Sequence, residues 1–122
     1  MQIRTMTIQD YEQVYALWLS TPGMGLNDKD DSPEGIARYL QRNPTTCFVA
    51  EENGVVIGAL LSGHDGRRGY VSHTAVARDF QRRGIGTALV QHMLAAMRGE
   101  GICKVNLVAF ARNTQGNAFW EK

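Results

Sequence analysis

Apolar residues along this chain change period several times, and each change marks an element. Ile3, Thr5 and Thr7 alternate with Arg4, Met6 and Ile8, which predicts a strand over 2–8. Thr7 offers a capping hydroxyl with Asp10 three residues on, so a helix is expected to start there. Tyr11, Val14, Tyr15 and Trp18 then share one helical face, and Thr21-Pro22-Gly23 ends it. Residues 22–31 read as a Gly- and Asp-rich loop. Ser32-Pro33-Glu34 opens a second helix, with proline at its first position and a carboxylate in its first turn. Ile36, Ala37, Tyr39 and Leu40 supply its buried side, and Asn43-Pro44 stops it. Strands follow over 46–51, 55–61 and 70–76, the first two joined by the hairpin dipeptide Asn53-Gly54. The second turn is Gly63-His64-Asp65-Gly66, with Gly69 beyond it. Helical spacing returns in Ile85, Leu89, Val90, Met93, Leu94 and Met97, and Gly99 and Gly101 close that helix. A strand over 102–109 and a helical stretch over 113–122 complete the order β-α-α-β-β-β-α-β-α. That order is a mixed sheet carrying helices, an α/β or α+β fold.

Composition narrows the function classes. At 122 residues with 43% hydrophobic content, the chain makes one domain, 1–122, with a core of its own. Thirteen basic against twelve acidic residues leave +1, unlike the strongly basic domains that coat nucleic acid. Two cysteines, Cys47 and Cys103, exclude a disulfide framework, and with three scattered histidines they form no metal-ligand spacing. No apolar run is long enough to cross a membrane, and Met1-Gln2-Ile3-Arg4 is no signal peptide, so the cytoplasm is the expected compartment. Two local charge clusters survive the balance. Arg67, Arg68, Arg78, Arg82 and Arg83 gather around one acid, Asp79, while Asp28, Asp30, Asp31 and Glu34 gather around Lys29. Each reads equally as a solvated loop.

Chemistry concentrates in Gln81-Arg82-Arg83-Gly84-Ile85-Gly86-Thr87-Ala88, a basic loop that leaves a strand and enters a strongly patterned helix. Glycine lets backbone approach a ligand closely. The free N–H groups of a helix start bind anions, and two arginines add formal charge in the same turn. A pyrophosphate cradle results. It is not a Walker loop, since no lysine follows Gly86, nor a dinucleotide fingerprint, since Leu89 stands where the third glycine belongs. Taken alone, a Gly-x-Gly turn reads more readily as a basic helix cap.

Its context resembles a known pattern. Val76-Ala77-Arg78-Asp79-Phe80-Gln81-Arg82-Arg83-Gly84-Ile85-Gly86 resembles the acetyl-CoA signature of the GNAT N-acetyltransferase superfamily. Asn113, Ala118, Phe119, Glu121 and Lys122 resemble the helix near the end of such domains. The resemblance spans essentially the whole chain. It implies a mixed, largely antiparallel sheet with helices on both faces, here lacking the last two strands, and acetyl-CoA as co-substrate. The backbone of Thr74, Ala75 and Val76 would pair with the pantetheine arm. Gln81, Arg82, Arg83, Gly84, Ile85, Gly86 and Thr87 would hold the pyrophosphate, and Asn113 would reach the arm from the last helix. A primary amine, of a small molecule or a protein, would attack the acetyl carbon directly in a ternary complex.

An amine of pKa ~10.4 must lose a proton before it attacks, and the departing thiolate must gain one. Here the chain departs from the pattern. Trp120 stands where a proton-donating tyrosine is common, and indole cannot protonate a thiolate near neutrality. Val108 stands where some members carry glutamate. On the fourth strand, Tyr70 is the expected groove-facing group, and His73 has the wrong parity unless a bulge re-aims it. Tyr70, His73 and Trp120 are therefore the catalytic candidates. Glu51 and Glu52, at a strand end, are expected to be solvated. The alternative reading is a catalytically weak or inactive acyl-CoA-binding domain. Asp28, Asp30, Asp31 and Glu34 would line an entrance for a cationic acceptor. The sheet edge at 102–109 would be left open to a second copy of the chain.

Overall fold

The computed structural model describes residues 1–107. Five strands lie in sequence order across one sheet: β1 (Gln2–Thr5), β2 (Phe48–Glu52), β3 (Val55–His64), β4 (Gly69–Val76) and β5 (Val105–Leu107). Neighbours are antiparallel except β4 and β5, which run parallel because α3 (Ile85–Gly99) carries the chain back across the sheet. Helices α1 (Tyr11–Leu19) and α2 (Pro33–Arg42) cover the opposite face. Trp18, Ile36, Leu40, Val49, Ala59, Leu61 and Ala75 form the core under α1 and α2. Phe48, Ile57, Leu60, Val71, Leu89, Met93 and Met97 form the core under α3. Helices on both faces of a mixed, mostly antiparallel sheet match the expected architecture.

Some boundaries differ from the pattern reading. β1 ends at Thr5, not Ile8, because Asp10 Oδ2 accepts the Thr7 N–H at 2.9 Å and turns the chain into a short 3₁₀ turn at Ile8–Asp10. β3 continues to His64, three residues further, through its pairing with β4. Glu51 is half-buried and paired: it accepts the Arg4 guanidinium, which also grips both oxygens of the buried Asp10.

Two irregularities in register decide which side chains meet. Between β2 and β3, Ala50 faces Gly58 but Glu51 faces Val56, so Ile57 is an extra residue. Between β3 and β4, Leu61 faces His73 but Ser62 faces Val71, so Ser72 is extra. Strict alternation would put Val71, His73 and Ala75 on one face. With Ser72 bulged, Val71 packs toward α3, while His73 meets Trp18 of α1 and Ala75 joins the core beside it.

Candidate functional site

β4 ends at Val76 and delivers the chain into a loop that is tied back onto the sheet. The Ala77 N–H donates to Ile57 O at 2.7 Å, Arg78–Phe80 make a 3₁₀ turn, and the Gln81 amide donates to the Val76 carbonyl at 3.1 Å. Arg82 and Gly84 both take left-handed backbone angles, φ 67° and 78°. α3 then starts at Ile85 without any side chain capping it. Ala88 is the first residue whose N–H returns to the helix, to Gly84 O at 3.0 Å, so the N–H groups of 84–87 lie ahead of the ladder. Space before that start is open: a Cβ added at Gly84 would meet nothing within 4 Å. Arg82, Arg83 and Thr87 are exposed, and the Arg83 guanidinium lies 5.0 Å from the centre of the Phe80 ring. The buried Ile85 side chain points into the core against Gly58, so Ile85 offers the site its backbone alone. Backbone donors and the positive end of a 15-residue helix thus meet at one uncapped position, with two exposed arginines in the loop that leads to it.

Thr74, Ala75 and Val76 run directly into this loop. Thr74 faces Leu60 in register and so points to the α3 side, and its Oγ1 is buried without a hydrogen-bond partner. Ala75 is core. Among the described residues β5 pairs with Gly69–Val71, leaving His73–Val76 paired to β3 alone. An open anion cradle next to a strand stretch with an orphaned hydroxyl fits the pyrophosphate and amide arm of a coenzyme A thioester.

The catalytic candidates separate. Tyr70 is exposed, on the strand next to the bulge. Ser72 shares a hydrogen bond with Tyr39, whose phenol is pushed up to about 12 by burial. His73 is the residue that the bulge re-aims. Its ring meets the edge of Trp18 at 4.9 Å, and its Nε2 lies 2.9 Å from Asp31 Oδ1. Asp31 is therefore not part of a solvent-facing entrance as its neighbours suggested: it is 6% exposed, and its backbone carbonyl accepts the Tyr11 hydroxyl. Asp28, Asp30 and Glu34 do remain exposed. Along α1, Tyr11 stacks on Tyr15 at 5.5 Å and Tyr15 meets Trp18 edge-on at 6.4 Å. Sequence reasoning missed the Asp31–His73 pair, and the one available signal was the parity conflict at His73. It also missed Gly35, where a Cβ would fall 2.4 Å from Lys29 O and 2.5 Å from Asp30 O. Asn113, Trp120 and Val108 lie outside the described residues. Among the described residues no group of histidine, cysteine and acidic side chains could hold a metal ion.

Comparison with known proteins bears on the fold and the family. The chain is 32% identical, over all 122 residues, to an acetyltransferase of Sodalis glossinidius, covering 84% of it. Its structure resembles that of Ard1 from Thermoplasma volcanium, with a TM-score of 0.85 and 21% identity over 98% of this chain and 78% of that one. It also resembles the PaiA N-acetyltransferase of Thermoplasma acidophilum, solved in complex with coenzyme A, with a TM-score of 0.83 and 17% identity over 98% and 86%. Both structural likenesses speak for the fold. The sequence model of the acetyltransferase (GNAT) family matches residues 11–122, and the chain belongs to that family.

Proposed function

We propose that this protein moves an acetyl group from acetyl-CoA to a primary amine, which attacks the acetyl carbon directly in a ternary complex. The uncapped start of α3, with Gly84 left-handed and open space before it, carries the reading. The N–H groups of Gly84, Ile85, Gly86 and Thr87 bind the pyrophosphate, and the exposed Arg82 and Arg83 add charge at its rim. The backbone of Thr74, Ala75 and Val76 takes the pantetheine arm, and Gln81 locks the loop to the strand end through the Val76 carbonyl. Acetyl-CoA supplies an activated acyl carbon with a thiolate leaving group, so the protein has to orient two substrates and manage two protons. Tyr70 is a wall of the acceptor groove, the indole of Trp120 can protonate no thiolate, and His73, with Nε2 on Asp31 and Nδ1 closed to solvent, offers the acceptor no open nitrogen. The exposed Asp28, Asp30 and Glu34 favour a cationic acceptor over a neutral or acidic one.

Calorimetric titration with acetyl-CoA, paired with an assay of thiol release across a panel of amines, tests this. Saturable binding with amine-dependent thiol release is expected. Binding without release from any amine would leave a CoA-binding domain, and no binding would overturn both readings.

A further inference from the structure

The loop that leads into α3 holds three exposed arginines, Arg78, Arg82 and Arg83, with Asp79 as the one acid in the stretch. Among the described residues none of the three enters an ion pair. Two of these side chains are marked by the structure. Arg82 has φ 67°, a left-handed backbone that glycine adopts freely and a residue with a Cβ adopts only at a cost in stability. Among the described residues the one other side chain held in that region is Asn53, and asparagine tolerates it well. Arg83 has its guanidinium seated 5.0 Å from the centre of the half-buried Phe80 ring, in the 3₁₀ turn ahead of the helix. That seat restrains a long side chain before any ligand arrives.

We propose that Arg82 and Arg83 read the 3′-phosphate of the coenzyme, so that this protein takes its acyl group from a CoA thioester in preference to the 3′-dephospho form. The inference rests on the acetyl-CoA reading above. It follows from where the ligand carries its charge. Each phosphate of the pyrophosphate is a diester with a single negative charge, which the neutral N–H groups of 84–87 at the uncapped helix start can match. The 3′-phosphate is a monoester whose second ionisation lies near pH 6. It therefore carries about −1.5 to −2 at neutral pH, with three strong acceptor oxygens. It is the most concentrated negative charge on the molecule, and planar guanidinium groups bind such a group through paired hydrogen bonds. It is also near. Only C5′, C4′ and C3′ of the ribose lie between the ester oxygens of the two phosphate groups, a span comparable to an arginine side chain. A pyrophosphate held at Gly84 thus brings the 3′-phosphate within reach of side chains attached one and two residues earlier. A helix start that bound the pyrophosphate alone would need neither a strained arginine at 82 nor a seated one at 83.

The test is calorimetric titration of the full chain with acetyl-CoA and with acetyl-3′-dephospho-CoA, at matched folded fraction. Arg82→Gly removes a side chain where glycine is unstrained, and Arg83→Met leaves an apolar stem on Phe80. Arg67→Ala, in the turn at the opposite end of β4, removes an equal charge from a different place. Wild-type protein should bind acetyl-CoA about 10–100-fold more tightly than the dephospho form, the range of one charge-assisted bond. Arg82→Gly and Arg83→Met should each cut that ratio by about 3–10-fold while leaving the affinity for the dephospho form within about two-fold. Arg67→Ala should keep the wild-type ratio. Equal wild-type affinities for the two ligands would overturn the proposal. So would a loss in either arginine variant that falls equally on both ligands, or a fall in the ratio as large in Arg67→Ala. Wild-type protein that binds neither ligand would instead overturn the acetyl-CoA reading, and the proposal with it.

Discussion

Replacing Gly84 by alanine isolates what the α3 start does for binding. Gly84 has φ 78° and, in this structure, an added Cβ would meet nothing within 4 Å, so the substitution is strained without being crowded. The left-handed conformation costs a non-glycine residue about 1–2 kcal/mol. For a chain of 122 residues that lowers Tm by roughly 4–8 °C. Gly66, in the turn at the far end of β4, provides the control: its φ is 90° and its added Cβ also meets nothing within 4 Å. Backbone strain alone therefore predicts the same loss of stability for Gly66→Ala and Gly84→Ala. Binding separates them. If the pyrophosphate approaches the backbone at Gly84, a methyl group there displaces it from at least one charge-assisted N–H bond, worth about 1.5–3 kcal/mol. Gly84→Ala should then raise the Kd for acetyl-CoA by about 10–100-fold, while Gly66→Ala leaves it unchanged. Thermal unfolding and calorimetric titration at matched folded fraction measure both effects. Equal acetyl-CoA affinity in the two variants would refute the placement of the anion at this helix start.

Three more expectations follow from particular contacts. The Asp10 carboxyl is held below its ordinary 3.8 chiefly by the Arg4 guanidinium, so its contribution is full above that value and is lost as pH falls through the lowered folded value. Arg4→Met should cost about 1–3 kcal/mol at neutral pH and flatten the acid loss, and urea titrations at neutral and acid pH that show an unaltered acid limb would contradict this. Burial pushes the Cys47 thiol up to about 12 whereas Cys103 is exposed, so a thiol reagent should modify one cysteine in the folded protein and the second only after unfolding; two native equivalents would argue against a closed core at Cys47. Reversing the exposed Asp28 and Asp30 to lysine should raise KM for a cationic amine several-fold and spare acetyl-CoA binding, an effect that added salt should erase. Identical acceptor kinetics would show those charges to be mere solvation.

The uncapped, glycine-led start of α3 was legible in the residues because its determinants are local. A basic loop, a left-handed glycine and a patterned helix lie within Gln81–Ala88, and the direction of α3 follows from the same short stretch. The strands and helices were legible for a related reason: periodicity reports which face of an element is buried, and the two cores on either side of the sheet read back that pattern. What pairs with what is another matter. His73 and Asp31 are 42 residues apart, and Arg4 and Glu51 are 47 apart, so neither bond leaves a mark in local spacing. Glu51 looked like a solvated strand end because its partner sits on a strand that only the sheet brings alongside. Asp31 looked like one more acid in a polar run, and only the packing of the α1–α2 connection over β4 buries it. His73 depended on tertiary structure most directly. Side-chain alternation in a strand has a period of two, so one inserted residue reverses every position beyond it. The bulge at Ser72 is set by how β4 registers against β3, a long-range agreement between two strands, and that register turned His73 from the α3 face to Asp31.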